Sequence, residues 1–576
     1  MKVLFGLIYL MDSSMHFMYI FLPCALIVLA VLHRFMKKHE KIWSLLCTIP
    51  MLVYIVFIIN GYYAKDPERT IYRYAAFGIV ALLIMLWGLA VLLKRSFKAY
   101  TVIVILFSTV ILLLNIISIW AIWLEPNVTN CSHLGWTKSY EEAINALEKY
   151  YVLNDWKEID YDKIREELIP KVREAEADND EDAYVYALYE LKYEFGDGHV
   201  AVYGDIFGRD RAIAKYAGND YGFSMFRADS GEIIAVLVDE ESDCYKQGIH
   251  NGTVITKWNG VPVEEAAAEV KCIDRSYEFQ TIENIHIAQP IFLAGLGGDE
   301  LTVTYIDESG KEETARLLAN GEYIHRRTEA LSILFGSSVT STDNYSTSML
   351  DEHVGYLRIT EEEYSLDPFF ITKCTIGGYS REMYDDLNSR LEEMKKQGMD
   401  RLIIDVRNNS GGNGFESRTV ASMFTSNPVP YYLALPMDGK YKVIVESKDI
   451  ETSGTWSNIP VVVLVNGQTA SAGEEIPNYL KNSENVTIMG NTTTWGDVQG
   501  TGGVIVLSDS KYEIDFPITP TVGDDLLPAV DTKADRKSRL MPDYMIEYSI
   551  EEAIELFENP NEDMVLKEAL IYINKD

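Results

Sequence analysis

"VVVLVNGQTASAGEEIPNYLKNSENVTIM", Val461 to Met489, passes from a β-branched run through a turn of small residues into a helix-like stretch and back to an extended run. Val461 to Val465 reads as a buried strand, Ala472 to Lys481 as a helix and Val486 to Met489 as the next strand. That is one crossover unit of a parallel sheet. The turn carries a lone serine, Ser471, between Ala470 and Ala472, and two roles fit it. As an N-cap it would pair with Glu474 three residues on, the capping-box pattern. As a nucleophile it would present its hydroxyl at a helix N-terminus, where free N–H groups and the helix dipole stabilise an oxyanion. Pro477, six residues into the helix, removes an internal hydrogen bond under either role.

The alternation continues outward. "VGYLRI" from Val354 and "RLIIDV" from Arg401 read as strands. Between them Tyr379 to Lys396 is amphipathic, with Met383, Leu387, Leu391 and Met394 near one face and Gly398 as a stop. "GGVIVLSDSKYEIDFPIT", Gly502 to Thr519, reads as an antiparallel hairpin. Residues 320–576 are therefore expected to form an α/β core with a mostly parallel sheet. Upstream, residues 135–212 are rich in helix formers and close at "YEFGDGHVAVYG", Tyr193 to Gly204, where Gly196 and Gly198 break the helix. Residues 215–315 change to short strands, "YGFSMF", "EIIAVLV", "TVITKWNGVPV" and "ELTVTYI".

Before all of these, four apolar runs occupy Met15–His33, Ile42–Asn60, Tyr74–Leu93 and Ala99–Leu124. Each is close to the ~20 residues a helix needs to cross a bilayer, so residues 1–124 are expected to be four transmembrane helices. Arg34, Lys37, Lys38 and Lys41 crowd the first loop and Lys94, Arg95 and Lys98 the third, which the positive-inside rule puts in the cytoplasm. Everything after Glu125 is then outside, on a multi-pass cell-membrane protein. Residues 1–124 hold 11 Lys and Arg against 4 Asp and Glu, leaving 40 against 82 in the exterior. Such acidity argues against nucleic acid as a partner. The exterior cysteines, Cys131, Cys244, Cys272 and Cys374, are far apart, and no CxxC, HExxH or zinc-type spacing occurs. No metal or cofactor is expected.

Two further motifs bear on chemistry. "DVRNNSGGNG", Asp405 to Gly414, ends a buried strand with paired glycines that can aim a backbone N–H at a substrate carbonyl, or form a plain turn. A serine nucleophile also needs a base. The exterior offers His133, His199, His250, His286, His325 and His353, and the glycine-flanked setting of "FGDGHV" recommends His199.

Residues 215–315 resemble a PDZ domain. "YGFSM" at Tyr221 is similar to that family's carboxylate-binding loop, and "SDCYKQGIHNGTVITKWNGVPV" from Ser242 follows its order of helix, glycine turns and strand. The resemblance implies peptide capture by strand addition at Tyr221, Gly222, Phe223 and Ser224. The ordered set of helical region, "DGH", PDZ-like unit, "DVRNNSGG", "TASAGEE" and the closing "RLMPDYMIE" resembles the tail-specific, or C-terminal processing, serine peptidases, within the group that includes tricorn protease.

That resemblance implies Ser471 as nucleophile and an oxyanion hole from the N–H of Ala472 with one from Gly411 or Gly412. The C-terminal processing branch places a lysine base in a "GKGxVQ" run, where this chain has "TWGDVQ", with Trp495 at the lysine position. The tricorn-like branch uses a histidine matching His199, with an acid near the closing signature, for which Asp531 and Asp535 are candidates. A base from Lys481 or Lys511 is the alternative. Two functions are thus expected to compete. One is a membrane-anchored extracytoplasmic serine endopeptidase acting on polypeptides near their C-termini through an acyl-enzyme. The other is an inactive relative that binds peptides and serves as a membrane sensor.

Overall fold

The computed structural model describes residues 128–575 apart from 278, 337–342, 368–369, 372–373, 375–377, 428, 430–431, 438–439, 447–453, 497–501, 519, 523–526, 529 and 531–539. The chain divides between Pro126 and Asn127 into two units, and every described residue belongs to the second. The four predicted spans and the loops that orient them lie outside the described residues, as do Asp531 and Asp535. Among the described residues no helix is long and apolar enough to cross a membrane.

The core is a six-stranded sheet built from β1 (Tyr345–Met349), β2 (Val354–Ile359), β3 (Arg401–Asp405), β4 (Val461–Leu464), β5 (Val486–Gly490) and β6 (Tyr544–Met545). Their spatial order is β6-β5-β4-β3-β2-β1. All neighbours are parallel except β1, which runs antiparallel to β2. All four residues of β4 are buried, as a central strand covered on both faces requires. Between β2 and β3 runs α1 (Arg381–Lys396), started by Ser380, whose side chain accepts the Met383 N–H. Met383, Leu387, Leu391 and Met394 are buried, so the predicted stripe is the packed face. After β3 comes α2 (Gly414–Phe424) and after β4 α3 (Ala472–Leu480). The two helices are joined where Ser417 Oγ donates to Ala472 O at 2.9 Å.

The hairpin of Gly503–Val506 and Tyr512–Phe516 forms as expected but leaves the core. It joins Val128–Asn130 and Ala201–Gly204 in a separate four-stranded sheet. The reason is burial: Ile505, Leu507, Tyr512, Ile514 and Phe516 share one apolar cluster with Tyr140, Leu147, Leu188 and Phe195 of the helical region. Contiguity in sequence had assigned the hairpin to residues 320–576. Its pairing instead fixes the strand that follows His199, since Ala201 sits opposite Asp515.

In residues 215–315, Ser224–Arg227 pairs antiparallel with Ile233–Val236. A second sheet orders Val261–Pro262, Ile255–Trp258, Glu300–Ile306 and Glu312–Leu318. The whole described unit is therefore multi-domain α/β with mixed sheets. Its four described cysteines, Cys131, Cys244, Cys272 and Cys374, are buried free thiols.

Candidate active site

β4 ends at the turn that carries Ser471, and the turn is strained. Ser471 has φ 52° and ψ −123°, a region that L-residues avoid and that costs roughly 1–3 kcal/mol. Its side chain makes no capping hydrogen bond, and Glu474 reaches instead to the Gly496 N–H at 2.6 Å. The capping box is therefore absent. Three main-chain bonds hold the turn: Ala470 N–H to Asn409 O at 2.8 Å, Trp495 N–H to Thr469 O at 3.0 Å and Gly473 N–H to Ala470 O at 2.8 Å. The helix continues past Pro477 to Leu480.

His199 comes to this turn from 272 residues earlier, with its Nε2 3.1 Å from Ser471 Oγ. Gly196 ends the preceding helix, Glu181–Phe195, in the left-handed conformation. The buried Asp197 carboxylate then accepts the His199 N–H at 2.9 Å and the Tyr151 hydroxyl at 2.5 Å. Trp495 stands edge-on to the imidazole, with ring centroids 6.5 Å apart and planes at 90°. A Cβ on Gly198 would fall 2.7 Å from Trp495 Cζ3 and 2.5 Å from Gln280 Nε2, so only glycine fits between them. The side chain in the lysine position thus packs beside the histidine.

The lysine alternatives are elsewhere. Lys481 follows the nine residues of α3, which at ~1.5 Å per residue puts it roughly 15 Å from Ser471. Lys511 pairs with Glu181 and, at 3.3 Å, with Asp205. His250 and His353 face Glu308 and Asp400 on the surface.

The loop after β3 lies against the serine turn. Gly411 has φ +101°, and a Cβ there would meet Ser471 Cβ at 2.8 Å. The Gly411 N–H, however, donates to Asn409 Oδ1 at 2.9 Å. Glu362 bridges to Gly412 through Gly411 O and the Asn413 N–H, which turns the Gly412 N–H to the opposite side. Ala472 heads α3, so its N–H has no earlier helical carbonyl to meet. Of the two expected glycine donors, Gly411 is thus committed, and the Gly412 N–H meets no acceptor among the described residues.

Below, Asp405 is fully buried. Burial pushes its carboxyl up, but the guanidiniums of Arg407 and Arg358 and the Tyr356 hydroxyl outweigh that and hold it at about 2. Burial likewise pushes up the carboxyls of Glu362 and Glu475, each to about 8, and of Glu416, to about 7. Sequence reading missed Asn409, Glu362 and this buried acid group. "TEEEY" looks like a solvated turn, and nothing in it separates the buried Glu362 from the exposed Glu363.

The predicted peptide-binding loop is a different matter. Tyr221, Phe223 and Ser224 are buried in their own domain, and Ser224 Oγ meets Tyr323 OH at 2.7 Å. The Gly222 N–H donates to Asp220 Oδ1 at 2.8 Å, and Asp220 is paired with Arg326 at 3.0 Å. The Gly222 N–H expected to meet a peptide carboxylate is thus occupied by the chain's own carboxylate. The outer edge of Ser224–Arg227 has no strand partner among the described residues, and helix Ile282–Leu293 packs beside it.

Residues 353–519 match peptidase family S41. Ser471, Ala472, Gly411 and Gly412 lie inside the S41 segment, and His199 lies before it. The carboxy-terminal processing protease CtpA of Bacillus subtilis (strain 168) is 28% identical over 123 residues, 21% of this chain and 25% of that protein. A carboxyl-terminal-processing protease of Picosynechococcus sp. (strain ATCC 27264 / PCC 7002 / PR-6) is 25% identical over 241 residues, 42% of this chain and 49% of that one. The chain thus spans between a quarter and a half of the length of these relatives. Among solved structures, mature CPAF complexed with lactacystin is 16% identical with a TM-score of 0.45, covering 77% of this chain and 99% of that one. The S41 match and the processing relatives support a serine-type peptidase.

Proposed function

We propose that the chain is a serine endopeptidase that cleaves polypeptides near their C-termini, anchored in the membrane by its N-terminal spans with the peptidase unit outside the cytoplasm. The observation that carries the reading is the 3.1 Å approach of His199 Nε2 to Ser471 Oγ at a strained strand-to-helix turn. Strain persists where function needs the geometry.

Ser471 Oγ attacks the scissile carbonyl while His199 Nε2 takes its proton. The oxyanion that forms is met by the N–H groups of Ala472 and Gly412. His199 then returns the proton to the leaving amine, and water releases the acyl group by the same steps in reverse. The Asp197 carboxylate fixes the main chain of the histidine turn. The open edge of Ser224–Arg227 suits a substrate strand added by main-chain pairing, with no need of the filled Gly222 N–H. Membrane anchoring rests on the four apolar runs and the charge of their loops.

The test is mass spectrometry of the full chain, in detergent, after treatment with a fluorophosphonate. Labelling at Ser471 that is lost in His199→Ala supports the proposed pair. Labelling that survives in His199→Ala removes the histidine from the mechanism, and a folded chain with no labelling favours the peptide-binding reading.

A further inference from the structure

Beneath the glycine loop lie Glu362, Glu416 and Glu475, three buried glutamates that the proposed mechanism does not use. Glu362 is 0% exposed and makes four contacts with the loop. Its main chain takes Gly411 O at 3.0 Å and receives the Asn413 N–H at 2.9 Å and the Asn413 side-chain amide at 3.0 Å. Its Oε1 accepts from Asn409 Nδ2 at 2.9 Å.

Asn409 is the residue through which the two halves of the site meet. Its main-chain carbonyl takes the Ala470 N–H of the serine turn, and its Oδ1 takes the Gly411 N–H. The amide can satisfy Gly411 only with its oxygen on that side. An acceptor at Glu362 Oε1 selects that orientation, because the reversed amide would set donor against donor at Gly411 and oxygen against oxygen at Glu362.

The acid group also limits its own charge. Glu416 on α2 faces Glu362 and is held by the Tyr345 hydroxyl at 2.7 Å and the Tyr364 N–H at 2.8 Å. Glu475 on α3 faces it from the other helix, with Arg418 as its nearby cation. Three buried carboxyls beside one guanidinium disfavour full ionisation of the group. Among the described residues the second oxygens of Glu362 and Glu475 are buried and meet no hydrogen-bond donor, a setting that disfavours charge on either.

We infer that Glu362 is a positioning residue for acyl transfer, which as a neutral acid orients Asn409 and so keeps the Gly412 N–H in register with Ser471 and Ala472. The inference rests on the acyl-transfer reading above. Ionisation of Glu362 would bring a second negative charge toward the developing oxyanion, and the high position of its carboxyl puts that event near pH 8.

The experiment follows the rate of fluorophosphonate labelling of Ser471 in the full chain across pH values from about 6 to about 10. Wild type should label more slowly as pH rises through about 8. Glu362→Gln keeps an acceptor for Asn409, so it should label within about threefold of wild type at neutral pH and lose the alkaline fall. Glu475→Gln should keep that fall. Glu362→Leu should label at least about tenfold more slowly at every pH, because the Asn409 amide loses its acceptor. An alkaline fall unchanged in Glu362→Gln, or wild-type labelling in Glu362→Leu, overturns the inference.

Hydrogen exchange at the Gly411 and Ala470 amides gives a readout that needs no chemistry. Protection should match wild type in Glu362→Gln and drop about tenfold in Glu362→Leu. Equal protection in all three overturns the positioning role, whereas lost protection with no labelling of wild type overturns only the acyl-transfer reading.

Discussion

Two glycine turns of this chain look alike in sequence, Tyr221-Gly222-Phe223-Ser224 and Ser410-Gly411-Gly412-Asn413, and each lies beside a strand. In the first, the Gly222 N–H is taken by Asp220, itself paired with Arg326. In the second, the Gly411 N–H is taken by Asn409, but the bridge to Glu362 turns the next N–H to the opposite side, and the first N–H of α3 has no earlier helical carbonyl to meet. Glycine supplies the backbone conformation in both. The proposed oxyanion role of the second turn therefore rests on an outward N–H that meets no internal acceptor among the described residues.

Adding a methyl to each turn tests that contrast most strongly. Gly411→Ala puts a Cβ 2.8 Å from Ser471 Cβ at φ +101°. It should slow Ser471 labelling by about 100-fold, in the range seen when an oxyanion donor is lost. Gly222→Ala meets Ser242 Cβ at 2.5 Å and φ +93°. It should cost about 1–3 kcal/mol of stability, measured by denaturant unfolding, with labelling by a small probe unchanged. Equal loss of labelling in both variants would break the comparison.

A similar cost, about 1–3 kcal/mol, is expected from Asp220→Ala, which takes away the carboxylate that pairs with Arg326. It also frees the Gly222 N–H. Peptides with a free C-terminal carboxylate should then bind about tenfold tighter than their amides, a difference absent in wild type. No gain in carboxylate preference would mean that the buried neighbours, and not Asp220, close the loop.

A pH-dependent effect of similar size concerns the base of the glycine loop. The Asp405 carboxyl is held at about 2 by its arginines, below its unfolded value near ~4. The unfolded chain therefore binds the proton first as pH falls, so stability from this group is full above about pH 4 and is lost toward about pH 2. Asp405→Asn should flatten that part of the stability profile. An unchanged slope would mean that the pair with Arg407 and Arg358 does not fasten the loop.

Much of the fold was legible because it repeats local patterns. The stripe of Met383, Leu387, Leu391 and Met394, the β-branched run at Val461 and the hairpin at Gly503 each state their element within a few residues. The partner of that hairpin was not legible. Its apolar residues pack as well in one cluster as in another, and only the buried surface of the helical region decides between them. At the site, Ser471 and His199 were legible from their small-residue and glycine-flanked settings only together with the ordered motifs that carry the family resemblance. Asn409 and Glu362 were not, because an asparagine among asparagines and a glutamate among glutamates carry no local mark of burial.

By itself the sequence determined the elements, the order of the units and the pair of residues on which chemistry is proposed to rest, since these follow from periodicity, turn residues and motif order. Only the tertiary structure decided which N–H groups are committed, which carboxyls are buried together and which side chain stands beside the histidine. Those outcomes depend on contacts between segments as far apart as His199 and Ser471, and hydrogen-bond satisfaction and burial belong to the assembled fold.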